Sequence, residues 1–380
     1  MLLKAHSSYL IASFMMNKMI VSNLAHRPLR SAISVVAIAL EVTLILLIVG
    51  FALGMLHDSR SRQAGIGADV IVLPPGSSNI VGLSDAAIPV KMADIFSKLP
   101  HVAVVSPVIL KVSAAGTLQT IWGIDLKSFD ALRPFNYLKG GPLQGPDDIL
   151  VDDIYTNGKH VKIGDPVELF NHTFHVAGIV AHGKGARLFV PLATMQELNG
   201  SPGRASGLYV KADNPANIDA VLDEVRNVPG MSTYVVQSMT TYLSTFTPDK
   251  YPMLSTFINI VIGISVTIGF IVIFQSMYTA VMERTREIGI LKSLGASKLY
   301  VVNVILRETT LLAIGGIIVG IAISLIASAG IRQRTTLPVD ITSSWLLRAA
   351  GIAIVGALAG AIYPAFKAAQ KDPIDALAYE

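Results

Sequence analysis

Few residues of this sequence stand where their types and spacing could do chemistry. The nearest approach to a phosphate-binding loop is the run from Gly178 through His182, Gly183 and Lys184 to Gly185. Such a loop cradles phosphates on backbone N–H groups, and its lysine must be followed by Ser or Thr for Mg²⁺ and then by a helix. Here glycine follows Lys184 and a strand-like run, residues 187–190, comes next, so the segment reads as a glycine-rich hairpin turn. His172 and His175 lie three apart on an expected strand pair, which points them to opposite faces if the strand is regular. Neither an HExxH pattern nor a carboxylate cluster accompanies them, and Asn171-His172-Thr173 reads as a chance sequon. No Ser–His–Asp arrangement can be assembled. The expectation is a chain with no catalytic residue, no metal ligands and no cofactor of its own.

Two charged features remain. The first is Glu41, alone in an apolar run over residues 31–56 and about 15 Å along a helix from its start. A charge at that depth costs about 2.5–3.5 kcal/mol on insertion scales, which neutralisation or a partner reduces. Two readings stay open. Glu41 is either a protonated or hydrogen-bonded carboxyl packed near Thr43, Asn259 or Gln275, or a substrate or proton contact in a cavity between protomers.

The second feature is residues 283–300. Glu283, Arg284, Arg286, Glu287 and Lys292 interleave both signs of charge, while Ile288, Leu291 and Leu294 recur at helical spacing. Gly289 lies within this stretch, Gly295 suits a left-handed helix end, and Ser297 can cap a following helix. A stiff amphipathic protrusion with a sharp turn is suited to docking a partner, where a solvated loop would carry neither the apolar face nor the caps.

The elements that position these features follow from composition. The chain has 380 residues, 52% hydrophobic and 15% charged, against about 25% charged in an ordinary soluble domain. Apolar sequence gathers into four runs long enough to cross a bilayer, residues 31–56, 253–282, 301–331 and 345–366. Lys4, Lys18, Arg27 and Arg30 precede the first; Arg284, Arg286, Lys292 and Lys298 separate the second from the third; Lys367 and Lys371 follow the fourth. The positive-inside rule then places segments 1–30, 283–300 and 367–380, and so both termini, in the cytoplasm, against the minority vote of Arg60, Arg62, Arg332 and Arg334. Residues 57–252 and the short loop 332–344 fall outside. The first run is too long for a cleaved signal peptide. Gly316/Gly320 and Gly356/Gly360 are GxxxG pairs that let helices approach closely, within one bundle or across a homodimer seam. The net charge of +4 sits mostly beside the spans, a topology signal and no nucleic-acid footprint. The absence of cysteine excludes disulfides and thiol chemistry.

Residues 57–252 alternate short β-branched runs with turn signals. Strands are expected at 69–73, 102–105, 108–112, 117–124, 149–151, 167–180, 187–190 and 208–211, and helices at 91–98, 192–198 and 218–228. The fold class is a membrane α-helical bundle of four spans with an α+β extracytoplasmic domain.

Glu283-Arg-Thr-Arg-Glu-Ile-Gly289, followed by Leu291-Lys-Ser-Leu-Gly-Ala296, resembles the loop of the FtsX/MacB-type ABC permeases. Tyr363-Pro-Ala365 and the tail Lys367-Ala-Ala-Gln-Lys-Asp-Pro-Ile-Asp-Ala-Leu377 resemble the end of that family, and Asn23-Leu-Ala-His-Arg-Pro-Leu-Arg30 its approach to the first span. The resemblance implies an ABC ATPase partner that carries ATP and Mg²⁺ in a separate chain and docks on residues 283–295. It also implies a homodimer, or a pair of related permeases, in a bacterial inner membrane, and leaves room for a periplasmic adaptor. A lipophilic substrate, exported or extracted, is the expected cargo, since some relatives export haem and an acid in the first span would suit such a molecule. Two other classes stay in view: a stand-alone transporter built on Glu41, and a membrane-anchored signalling or scaffold protein.

Overall fold

The computed structural model describes residues 28–77, 87–113 and 119–372. Lys4, Lys18, Arg27, residues 23–26 of the approach segment and residues 373–377 of the tail motif lie outside them. In chain order the elements are α1 (Pro28–Ala64), β1 (Val70–Leu73), β2 (Ile88–Pro89), α2 (Lys91–Phe96), β3 (Val102–Ser113), β4 (Gln119–Ile124), α3 (Leu126–Leu132) and β5 (Tyr137–Gly140). There follow β6 (Asp148–Asp152), α4 (Asp153–Lys159), β7 (Pro166–Leu169), β8 (His172–Val180), β9 (Leu188–Pro191), α5 (Leu192–Leu198), β10 (Arg204–Ala205) and β11 (Gly207–Ala212). The last are α6 (Ile218–Asn227), β12 (Val235–Ser238), α7 (Met239–Ser244), α8 (Pro252–Glu283), α9 (Thr285–Ser293), α10 (Lys298–Arg334) and α11 (Ser343–Gln370). The chain divides into two compact units, one holding Leu53–Tyr251 and Ile331–Pro338, the other the remaining helical sequence.

The α+β unit is built on a ten-stranded mixed sheet in the order β12-β1-β11-β3-β4-β9-β6-β8-β5, with β7 also paired to β8. Helix starts are capped where the sequence offers a short acceptor: Asp125 takes the N–H of Ser128 at 3.0 Å, Asp152 that of Tyr155 at 2.6 Å, and Ser238 that of Thr241 at 3.1 Å. Two sequence expectations are corrected, and the strand pair expected over residues 167–180 is located. Residues 167–180 form the expected strand pair, in which Phe170 and Asn171 adopt left-handed φ of 53° and 59° and reverse the chain in a tight hairpin. Residues 102–112 form one strand through Pro107. The ladder to β4 begins only at Val108, so proline's missing N–H leaves no gap on that side. The glycine-rich segment after β8 is no hairpin turn, since β6 lies between β8 and β9 and pairs with both.

In the helical unit, α1, α8, α10 and α11 are long and apolar enough to span a membrane. Both GxxxG pairs are used inside the chain. A Cβ at Gly316 would lie 2.6 Å from Ile38 Cβ and one at Gly320 2.7 Å from Ala39 O, so α10 lies directly on α1. A Cβ at Gly360 would meet Phe270 O at 2.8 Å, which seats α11 on α8. Helix α1 continues to Ala64, past the fall in hydropathy after residue 56; an Asp58–Arg62 pair of 3.1 Å at i,i+4 supports the added turns.

Candidate coupling site

Residues 283–300 fold as a helical elbow between α8 and α10. Helix α8 stops at Glu283, and Arg284 leaves helical geometry with φ −107° and ψ 17°. Thr285 then starts α9, its hydroxyl donating to Met282 O at 2.8 Å. At the other end Gly295 takes φ +95°, the N–H of Ala296 reaches Leu291 O at 3.0 Å, and the N–H of Gly295 reaches Lys292 O at 3.0 Å. These are the two bonds of a Schellman ending, which an L side chain at position 295 would strain. Ser297 accepts the N–H of Tyr300 at 3.2 Å and opens α10.

The charged residues of the elbow divide into two groups. Arg284 forms a bidentate pair with Glu308 of α10, Nη1 to Oε2 at 3.0 Å and Nη2 to Oε1 at 3.1 Å, and both side chains are nearly buried. Lys292 donates to the carbonyl of Ala369 at 3.0 Å and to that of Lys371. Arg284 and Lys292 therefore serve the fold of this chain. Arg286 and Glu287 are exposed, and Gly289 is buried. Glu283 is exposed as well and lies 3.4 Å from Arg30. The apolar face splits as well: Ile288 and Leu291 line a cleft of about 320 Å³, whereas Leu294 is 80% exposed and Leu299 beyond it 77%.

Two residues of this site escaped the sequence reading. Arg30 stands there only as a topology charge, and Glu308 not at all. The available signal is Glu308 itself, an acid set inside the apolar run that begins at residue 301. A carboxylate so placed needs a cation from elsewhere in the fold.

Glu41 is 5% exposed, and its Oε1 has no hydrogen-bond partner among the described residues. None of the three expected neighbours serves it. Thr43 donates to Gly320 O at 3.2 Å, and Asn259 and Gln275 are exposed. The carboxylate instead lies against backbone: a Cβ at Gly269 would fall 1.9 Å from its Oε2, and one at Gly356 3.8 Å from its Oε1. Gly269 of α8 is what leaves room for it, since a side chain there would occupy the carboxylate's place, whereas one at Gly356 of α11 would make ordinary contact.

Lys184, the lysine of the phosphate-loop look-alike, is buried with its ammonium 3.8 Å from the Phe135 ring centroid and bonded to the carbonyls of Arg133 and Phe129. Burial lowers its pKa to about 8. Held this way it fills the core of the α+β unit and offers nothing to a phosphate.

Residues 31–228 match the MacB-like periplasmic core domain, and residues 259–373 match the FtsX-like permease C-terminal domain. The chain belongs to the FtsX/MacB-type ABC permease family. It is a multi-pass membrane protein and a permease component of ABC transport, with the elbow inside the FtsX-like part. An uncharacterized ABC transporter permease, YknZ of Bacillus subtilis, is 38% identical over 131 residues, which is 34% of this chain and 32% of that protein. The macrolide export ATP-binding/permease protein MacB of Azoarcus is 24% identical over 92% of this permease and 57% of its own length. The MacB of Wolinella succinogenes is also 24% identical, over 99% of this chain and 62% of its own length. The chain thus spans between about a third and three-fifths of these curated relatives. Among solved structures, the periplasmic region of MacB from Actinobacillus actinomycetemcomitans is 16% identical with a TM-score of 0.38, covering 48% of this permease and 94% of that chain.

Proposed function

We propose that this permease couples ATP hydrolysis in a separate ABC ATPase subunit to movement of its spans and its extracytoplasmic domain, for export or extraction of a lipophilic substrate. The observation that supports the reading is the elbow. A short helix stiffened at both ends carries exposed Arg286 and Glu287, with Leu294 and Leu299 beyond them. Opposite charges beside bare leucines suit a protein surface and not a lipid one. On this reading α9 and both termini are cytoplasmic, as the flanking basic residues favour. ATP and Mg²⁺ are bound by the ATPase and none by this chain. The permease works as a homodimer, and a periplasmic adaptor joins on the far side.

The test is affinity purification of the tagged chain from its native membrane in mild detergent, with co-purifying proteins identified. A Walker A ATPase should appear and should be lost when Arg286→Glu and Glu287→Lys are combined. A crosslinked preparation without any ATPase would end this reading in favour of a self-contained transporter or an anchored scaffold.

A second reading concerns Glu41, as a contact for a cationic lipophile or for a proton. Its support is an acid buried without a hydrogen bond to Oε1, in space that Gly269 leaves on α8. Glu41→Gln should abolish substrate-stimulated ATP hydrolysis while leaving the basal rate, and unchanged stimulation would dispose of the idea.

A further inference from the structure

Glu308 is the meeting point of three helices. Arg284, at the break between α8 and α9, grips it with both guanidinium nitrogens at 3.0 and 3.1 Å. Arg30, near the start of α1, lies 3.5 Å from the same carboxylate and 3.4 Å from Glu283. The charges run Glu283, Arg30, Glu308, Arg284, alternating in sign. Glu308 keeps only 4% of its side chain exposed.

Beside this cluster the packing is open. The cleft of about 320 Å³ is walled by Ile288 and Leu291 of α9 and by Val301, Val304 and Ile305 of α10, with Arg284 and Glu308 on its surface. Where helices interdigitate, side-chain packing fixes the angle between them. Where a cleft separates them, a directional bond must do so. A guanidinium–carboxylate fork is the most directional bond available to side chains, because two parallel N–H···O contacts fix distance and plane together.

We infer that Glu308 is a positioning residue that sets the angle of the α9 elbow, and through it the presentation of Arg286 and Glu287 to the ATPase. This rests on the proposed docking at the elbow. The cluster gives the docking surface one orientation relative to α10, and motion of α9 is passed to α1 and α10 through Arg30 and Arg284. A role in stability alone predicts something different. A buried ion pair replaced whole by apolar residues commonly keeps or gains stability, whereas breaking it by removing one partner is costly.

The sequence contains no cysteine, so two can be introduced as the sole labelling sites. Ser293→Cys near the end of α9 and Asn303→Cys on α10 are both at exposed positions. Spin labels there, in the full chain in nanodiscs, should give one narrow distance distribution. Glu308→Gln should broaden it at least twofold and cut ATPase co-purification about tenfold. Should Glu308→Gln fail to insert, Glu308→Asp should shift the distance, since one methylene is lost while the charge stays. Arg284→Met with Glu308→Leu should regain the parent's thermal midpoint yet keep the broad distribution. A narrow distribution in Glu308→Gln, an unmoved distance in Glu308→Asp, or a narrow one in the apolar double variant would overturn the inference. The distance readout contains no ATPase, so it can succeed where the docking proposal fails.

Discussion

The helical unit and the α+β unit each hold a chain of alternating charges, and the two chains differ in what surrounds them. In the α+β unit Arg187 bridges Asp58 at 3.1 Å and Asp152 at 3.3 Å, while Arg62 pairs with Asp58 at 3.1 Å. Contact there is tight. A Cβ at Gly65 would lie 1.7 Å from Gly183 O, Gly185 donates its N–H to Arg62 O at 2.7 Å, and Gln63 meets the Tyr209 hydroxyl at 3.0 Å. In the helical unit the Glu308–Arg284 end of the Glu283–Arg30–Glu308–Arg284 chain borders a cleft instead. Similar chemistry therefore does different work: ionic bonds add a brace where packing already fixes the geometry, and they determine the geometry where packing leaves a gap. Glu41 is a third case, a carboxylate enclosed by glycine backbone with Oε1 unbonded.

The comparison breaks first at Arg187. Arg187→Met would leave Asp58 and Asp152 without their shared cation and should cost about 3–5 kcal/mol, the range for a buried pair losing one partner. Chemical denaturation followed by Trp122 fluorescence, in a Trp345→Phe background, reads the α+β unit alone. An unchanged midpoint would mean that the brace contributes nothing.

Protonation sharpens the same contrast. Burial raises the Asp152 pKa from 3.8 to about 6, against the opposing pull of Arg187 and the N–H of Tyr155. Between about pH 4 and 6 the unfolded chain gives up this proton before the folded one does. Stability of the α+β unit should therefore fall as pH rises through that window, by about 2–3 kcal/mol for this group, and level off above it. Asp152→Asn should flatten this part of the pH profile. A slope that persists in the variant would assign it to other groups.

Glycine spacing supplies a sharper cut within the helical unit. Gly320→Ala drives a methyl to within 2.7 Å of Ala39 O and should cost about 1–3 kcal/mol. Gly315→Ala meets only Val35 Cγ2, at 3.6 Å, and should be tolerated or stabilise by about 0.4–1 kcal/mol. Equal melting behaviour of the two variants would show that the seam has room to relax. The smallest stability effect belongs to Glu41→Gln, expected within about 1 kcal/mol, since no hydrogen bond to Oε1 is lost. A drop beyond that, in thermal unfolding of the purified chain, would reveal a partner that the carboxylate requires.

How much was legible in the sequence depended on how local the cause was. The elbow's ends were readable because Gly295 and Ser297 act on backbone within five residues of themselves. The strand pair of β7 and β8 was legible, but its turn was not placed, because Phe170 and Asn171 are not the glycine-containing pair that usually marks such a turn. Arg284 and Lys292 were taken as docking charges alongside Arg286 and Glu287, since sequence gives all four the same polarity. Their separation required Glu308, 24 residues on from Arg284, and the carbonyl of Ala369, 77 residues on from Lys292.

The sequence by itself determined the spans, the caps and the close approach of the glycine-bearing helices. Hydropathy, left-handed glycine and small-residue spacing act over one or two turns and carry the same meaning in any fold. Only the tertiary structure decided which helix each glycine pair meets, that β6 separates β8 from β9, and that Glu308 has two arginines while Glu41 lies against glycine. The physical reason is that a buried charge is judged by its neighbours within about 4 Å. In this chain those neighbours come from helices far apart in sequence, as Arg30 is 278 residues from Glu308.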